Sequence, residues 1–447
     1  MDTEHPVSTG EFALPRSRAA NERLHAMVPG GAHTYAKGDD QYPENLAPVI
    51  SHGRGAHVWD VDGNRYIEYG SGLRSVSLGH AHPRVTEAVR RELDRGSNFV
   101  RPSIVEADAA ERFLATVPTA EMVKFTKNGS DATTAAVRLA RAVTGRPRVA
   151  VCRDHPFFST DDWFIGTTPM HAGIPAATTD LTLTFPYGDL AATEELLGRY
   201  RDEVACLILE PATHTEPPPG YLAGLRELAD RHRCVLVFDE MITGLRWSEA
   251  GAQGLYGVVP DLSTFGKALG NGFAVSALAG RRELMERGGL RHSDDRVFLL
   301  STTHGAETHS LAAAMAVQTT YTEEGITARL HALGEKLAAG VRDAAASMGV
   351  ADHLVVRGRA SNLVFATLDG NGRPSQEYRT LFLRRLLAGG VLAPSFVVSS
   401  ALDDTDIDRT VDVVAQACAV YRKALDTADP TPWLGGRPVQ PVFRRKA

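Results

Sequence analysis

Three short, almost wholly apolar runs set the strongest limit on how this chain can fold. They are RVAVC (148–152), ACLILEP (205–211) and CVLVFDE (234–240). A strand with one wet face alternates apolar and polar residues, so a continuous apolar run of this length predicts a strand covered on both faces, as in a parallel sheet. Between the last two runs, GYLAGLRELADRHR places Leu222, Leu225 and Leu228 at helical spacing, which completes a strand–helix–strand unit. The same logic repeats from about residue 105 to 300. The segment HVWDVDGNRYIEY (57–69) predicts instead a hairpin about a two-residue turn at Asp62-Gly63. A helix-forming stretch begins near residue 309, and short strands such as NLVFATL punctuate the last third. The expected fold class is α/β, with a large domain over 61–325 carrying a mainly parallel sheet. A smaller α/β domain is expected from residues 1–60 and 326–447.

With 447 residues, 43% of them apolar, the chain can bury more than one core. A net charge of −6 gives no basic footprint for nucleic acid or an anionic membrane. No apolar run approaches the roughly 20 residues that span a bilayer, and the first twenty residues have no apolar centre of the kind a secretion signal carries. Cys152, Cys206, Cys234 and Cys418 form no CxxC pair and are expected as buried reduced thiols. These features predict a soluble, cytoplasmic protein without a metal.

Chemistry is concentrated at two places. Asp239 ends the apolar run CVLVFDE, and in open α/β sheets ligands gather at the carboxyl ends of strands. Lys267, one of only seven lysines against 41 arginines, stands in DLSTFGKALGNG among residues that cannot hydrate it. The missing phosphate loop demotes a nucleotide-hydrolysing site: Ala268 stands where Ser or Thr is needed, and Asp261 where the first glycine is needed. A carboxylate and a desolvated lysine fit pyridoxal 5'-phosphate better. That cofactor needs an acid to hold its ring nitrogen protonated and an amine to condense with its aldehyde. Burial lowers an amine's pKa and releases the neutral nucleophile. The stretch KNGSDATTAAVRLARAVTG (127–145) supplies a phosphate site, with Asn128 or Ser130 capping a helix and Gly129 letting the backbone approach an anion. Glu210, at the end of CLILEP, is either a structural strand end or a contact to an entering amino group. His80 and His82, and His304 and His309, lack the spacing and third ligand of a metal site.

Nearly the whole chain resembles the class III pyridoxal-phosphate aminotransferases of the aspartate-aminotransferase fold (fold type I), nearest the glutamate-1-semialdehyde 2,1-aminomutase branch. The matching stretches are VPGGAHTY, HVWDVDGNRYIEY, LGHAHPRV, KNGSDATTAAVRLARAVTGR, LEPATHTEPPPGYLAGLREL, VFDEMITGLRW, PDLSTFGKALGNG and STTHGAE. The resemblance implies that Lys267 holds the cofactor as a Schiff base and Asp239 pairs its ring nitrogen. Met241 would pack on one ring face, while Gly129 and Ser130, with Asn128, hold the phosphate. Thr303 would reach the phosphate of the partner subunit, so that two active sites are shared across a homodimer.

Three departures bear on the substrate. After RVAVC the family carries an aromatic-His-Gly run, whereas RDHPFFSTDDWF stands here, leaving Phe157 or Phe158 to stack on the ring. Past the PGG turn and Tyr35, the aminomutase branch has a carboxylate-binding arginine. Lys37 takes its place here, followed by Asp39 and Asp40. Asp161 and Asp162 follow the stacking candidates. Lysine is the poorer bidentate clamp, and carboxylates attract cations, so the expected acceptor is an oxidised amino-sugar or aminoglycoside-type aldehyde, with glutamate as donor. The alternatives are aminomutase or epimerase chemistry and a non-catalytic cofactor-binding protein.

Overall fold

The computed structural model describes residues 12–445. It divides into two compact units. One takes residues up to Ser71, Leu78–Ala81 and Arg329–Arg444; the other takes Gly72–Ser77 and His82–Ala328.

In the first unit, β1 (Ile50–Arg54), β2 (His57–Asp60) and β3 (Arg65–Glu68) form an antiparallel meander. The β2–β3 hairpin forms where the sequence predicts it, with Val58 opposite Tyr66. The loop is longer than expected. Asp60 N–H donates to the Asn64 carbonyl, enclosing Val61, Asp62 and Gly63, and Gly63 takes the left-handed φ of +94°. Asp62 is engaged elsewhere: its carboxylate accepts from the backbone of Arg16 and Ser17 at 2.7 and 2.8 Å, at the start of the helix Pro15–Met27.

Among the described residues, the second unit holds seven strands: β4 (Met122–Thr126), β5 (Arg148–Cys152), β6 (Thr182–Phe185), β7 (Val204–Leu209), β8 (Val235–Asp239), β9 (Leu262–Phe265) and β10 (Ser276–Gly280). Their order is β4-β10-β9-β8-β7-β5-β6. Only β10 runs against its neighbours β4 and β9; the β5–β9 pairings are parallel. The three apolar runs are the adjacent strands β5, β7 and β8 at the centre of this sheet. Alternate residues feed opposite faces. Val235 and Val237 pack with Ala132, Ala136 and Leu139 of the helix Gly129–Thr144, while Leu236 and Phe238 pack with Leu222, Leu225 and Leu228 of the helix Tyr221–His232. Covering both faces is what lets such strands dispense with polar residues. This is a mixed α/β sheet with a single antiparallel strand, β10.

Beyond Ala328, the first unit adds the hairpin of β11 (Leu354–Arg357) and β12 (Val364–Thr367), and β13 (Val391–Leu392) parallel to β3. The long helical stretch is two helices, Thr308–Glu324 and Ile326–Ser347, broken at Gly325, whose φ is +61°. All four cysteines are buried, and burial pushes their thiols up to about 12. No described helix is long and apolar enough to cross a membrane.

Candidate active site

The carboxyl ends of β7, β8 and β9 converge on a cluster of buried ionisable groups. Asp239, the last residue of β8, is 3% exposed. Its Oδ1 accepts from the Met241 N–H at 3.0 Å and from the Thr264 hydroxyl at 3.1 Å. Thr264 lies directly across the β8–β9 register, so the sheet itself orients this carboxylate. Burial pushes Asp239's pKa up, and the Lys267 ammonium draws it back down.

Lys267 follows β9 across Gly266 and adopts φ +46°, a left-handed conformation that costs a branched or long side chain energy and is kept where the surroundings dictate it. A Cβ on Gly266 would come within 2.5 Å of Ser276 Oγ and 2.6 Å of Met241 Sδ, so only glycine fits there. A Cβ on Gly129 would likewise come within 2.9 Å of the same sulfur. Met241 therefore sits between the turn that carries Lys267 and the start of the helix Gly129–Thr144. Burial lowers the pKa of the Lys267 amine, opposed by Asp239 and Glu210.

Glu210, the residue after β7, is 4% exposed. Its carboxyl is pushed up to about 8, first by burial and then by Asp239, with Lys267 and Arg74 pulling the other way. Its N–H donates to His155 Nδ1 at 3.0 Å. That acceptor role assigns the proton of neutral His155 to Nε2, and burial keeps the ring neutral by lowering its pKa to about 4. Sequence reasoning missed His155 and Arg74. The position of His155 just past β5 was an available signal; nothing local marked Arg74.

At the helix start, the Asn128 side chain accepts from the Asp131 N–H at 3.0 Å and donates to the Asp131 carboxylate. Asn128 is thus the cap, and Ser130 Oγ instead accepts from the Thr160 N–H at 3.0 Å. The glycine-lined start of a sixteen-residue helix is a place where backbone N–H groups can face an anion. The two aromatic candidates separate. Phe158 is 2% exposed, packs in the core under this helix, and gives its carbonyl to Thr133 Oγ1. Phe157 is 42% exposed. Of the two, Phe157 is the one whose ring is not taken up by the core packing around this helix.

Thr303 is exposed, and its carbonyl accepts from Asn98 Nδ2 at 3.1 Å. Glu307, in the same segment, ion-pairs with Lys127 beside Asn128. Tyr35 and Lys37 are exposed in the first unit. The acidic pair beside them corrects an expectation. Asp39 pairs with His25 at 3.0 Å and Asp40 with Arg444 at 2.7 Å, so neither is a free carboxylate awaiting a cation. Asp161 and Asp162 are exposed at the start of a short helix in the second unit.

These groups fit pyridoxal phosphate: a lysine amine lowered by burial, a strand-end carboxylate beside it, and a helix start where a side chain on Gly129 has no room. Known proteins agree. A structure of an omega-transaminase from Sphaerobacter thermophilus superposes with a TM-score of 0.82 at 28% identity, covering 91% of this chain and 98% of that one. The FumI protein of Sphingopyxis sp. MTA144, solved with PLP as its internal aldimine, matches at TM-score 0.85 and 24% identity, covering 94% of this chain and 100% of that one. A glutamate-1-semialdehyde aminomutase from Pseudomonas aeruginosa PAO1 matches at TM-score 0.78 and 23% identity over 91% and 95% of the two chains. At those two identities the likeness speaks for the fold alone. The family model of the class III aminotransferases matches residues 38–396. This chain therefore belongs to the class III aminotransferases and is a pyridoxal-phosphate-dependent enzyme.

Proposed function

We propose that this enzyme is a transaminase that takes an amino group from a donor such as glutamate and delivers it to the carbonyl carbon of an oxidised amino-sugar. One observation carries the reading: Lys267, Asp239 and Glu210 share one buried electrostatic cluster at the carboxyl ends of β7–β9.

When bound, pyridoxal phosphate supplies an aldehyde that condenses with amines and a protonated ring that accepts electron density. Lys267 provides the amine that anchors it, made nucleophilic by burial. With a donor bound, Lys267 Nζ would be the group that takes up and returns the proton of the donor carbon. Asp239 holds the ring-nitrogen proton, its carboxylate fixed by the Met241 N–H and the Thr264 hydroxyl. Met241 and Phe157 would hold the ring from its two sides. The N–H groups at Gly129 and Ser130 hold the phosphate, with Asn128 fixing the turn. Thr303 completes the phosphate site of a partner subunit, which makes the working unit a homodimer. Four cysteines without a disulfide suit a cytoplasmic location.

The acceptor class rests on the exposed Asp161 and Asp162, and on lysine rather than arginine at position 37; Asp39 and Asp40 no longer contribute. The test is amine transfer from glutamate to a panel of amino-sugar aldehydes, keto acids and glutamate-1-semialdehyde. Preference for cationic amino-sugars, weakened by salt and by Asp161→Asn with Asp162→Asn, is expected. Efficient turnover of glutamate-1-semialdehyde with the sugars ignored would make the enzyme an aminomutase.

A further inference from the structure

Glu240 stands between Asp239 and Met241 and is fully buried. Its carboxylate accepts from the N–H groups of Ala252 at 2.7 Å and Gln253 at 2.8 Å, from Gln253 Nε2 at 3.4 Å and from the Thr243 hydroxyl. Gln253 is itself 2% exposed and anchored, its Oε1 accepting from the Thr119 hydroxyl at 2.6 Å. The main chain of Glu240 is fixed as firmly. Its N–H donates to the Thr264 carbonyl at 2.8 Å, and its carbonyl accepts from the Gly244 N–H at 2.8 Å. One residue therefore ties the two ends of the loop 241–251 together. At its far end φ of Gly251 is +82°, and a Cβ there would come within 2.5 Å of the pinned Glu240 Oε2. Within the loop, Leu245 holds the left-handed φ of +67°, which a non-glycine residue keeps where its surroundings enforce it.

The closed loop begins with the Met241 N–H. That group donates to Asp239 Oδ1 at 3.0 Å beside the Thr264 hydroxyl, and the same threonine supplies the carbonyl that holds Glu240. Hydrogen bonds to a carboxylate favour its charged form, and the Met241 N–H works against the burial that pushes Asp239's pKa up. Only the charged form can pair with a protonated ring nitrogen. Neutral groups could close a loop at smaller cost, because a buried carboxylate must be compensated. The donors to Glu240 from Thr243, Ala252 and Gln253 are all neutral, and burial pushes its carboxyl up to about 7. The fold sets this costly group at the one residue that separates Asp239 from Met241.

We propose that Glu240 is a positioning residue for the reaction: by closing the loop 241–251 it holds the Met241 N–H on the Asp239 carboxylate and keeps that carboxylate charged for the cofactor's ring nitrogen. The inference rests on the reading of Asp239 as the partner of that nitrogen.

The test compares pyridoxal phosphate with its deaza analogue, in which a C–H replaces the ring nitrogen while the aldehyde and phosphate remain. The affinity of each for the full chain, stripped of cofactor, is measured by titration. Wild type should prefer pyridoxal phosphate, and Asp239→Asn should lose the preference. Glu240→Gln keeps the shape but loses the charge and sets an NH2 group against backbone donors. It should cut the preference roughly 10-fold, as for a lost hydrogen bond to a charged group, while binding the deaza analogue as wild type does. Thr243→Val removes a single donor and should act in the same direction by a smaller factor; it decides the matter if Glu240→Gln does not fold. A brace without a link to the ring nitrogen would weaken both ligands equally. That result, or an unchanged preference in the folded variants, overturns the role of Glu240 and leaves Asp239 in place. If wild type binds both ligands alike, the reading of Asp239 fails and the role of Glu240 falls with it.

Discussion

Glu210 makes a quantitative claim about the cofactor-free protein. Its carboxyl has an ordinary pKa of 4.5 and is raised to about 8 in the fold, chiefly by burial and secondly by Asp239. A group whose folded pKa is raised contributes stability that is complete below its unfolded pKa and is lost as pH climbs through the folded value. The window is therefore about pH 4.5 to 8. At roughly 1.4 kcal/mol per pH unit the gap corresponds to at most about 5 kcal/mol. Glu210→Gln keeps the shape and does not titrate, so it should lack this part of the pH dependence. Thermal unfolding of cofactor-free wild type and variant, followed by calorimetry from pH 5 to 9, is the assay. At roughly 2–4 °C per kcal/mol for a unit of this size, wild-type Tm should fall by on the order of 10 °C more than the variant's. Lowering Glu210's pKa through Asp239→Asn should shift the wild-type fall to lower pH. Parallel Tm–pH curves for wild type and Glu210→Gln would refute the claim that this carboxyl is buried uncharged.

Borohydride should fix the cofactor covalently on the peptide containing Lys267 and on no other; label on Lys124 or Lys127 would remove Lys267 from its role, and Lys267→Ala should lose the link. Asp239→Asn should keep the Met241 and Thr264 hydrogen bonds but lower kcat by on the order of 100-fold, as for loss of a preorganised electrostatic group, and near-wild-type turnover would contradict that. Gly129→Ala forces a Cβ to 2.9 Å from Met241 Sδ and should cost about 1–3 kcal/mol of stability in a denaturant titration, with partial rescue by Met241→Ala. Thr303→Ala should loosen both cofactor retention and dimerisation together, read by dialysis and by sedimentation; a monomer that retains the cofactor as well as the dimer does would overturn the shared site.

The sequence by itself determined the central sheet, because strands covered on both faces must be apolar throughout and the helices between them must repeat every three to four residues. β5, β7 and β8 and the helices Gly129–Thr144 and Tyr221–His232 are all written in such local patterns. Asp239 and Lys267 were legible for a related reason: each follows an apolar run at a strand's carboxyl end, where burial changes the chemistry of a charged group. Tertiary structure decided what depends on partners far along the chain. Whether Asp40 is free depends on Arg444, and which of Phe157 and Phe158 enters the core depends on the helix packed above them. Neither is visible in a window of neighbouring residues. The same holds for His155, which is set by the N–H after a strand 55 residues away, and for Arg74, whose left-handed backbone is held by Arg246. A left-handed run of non-glycine residues runs against local preference, so only the contacts of the folded protein can specify it.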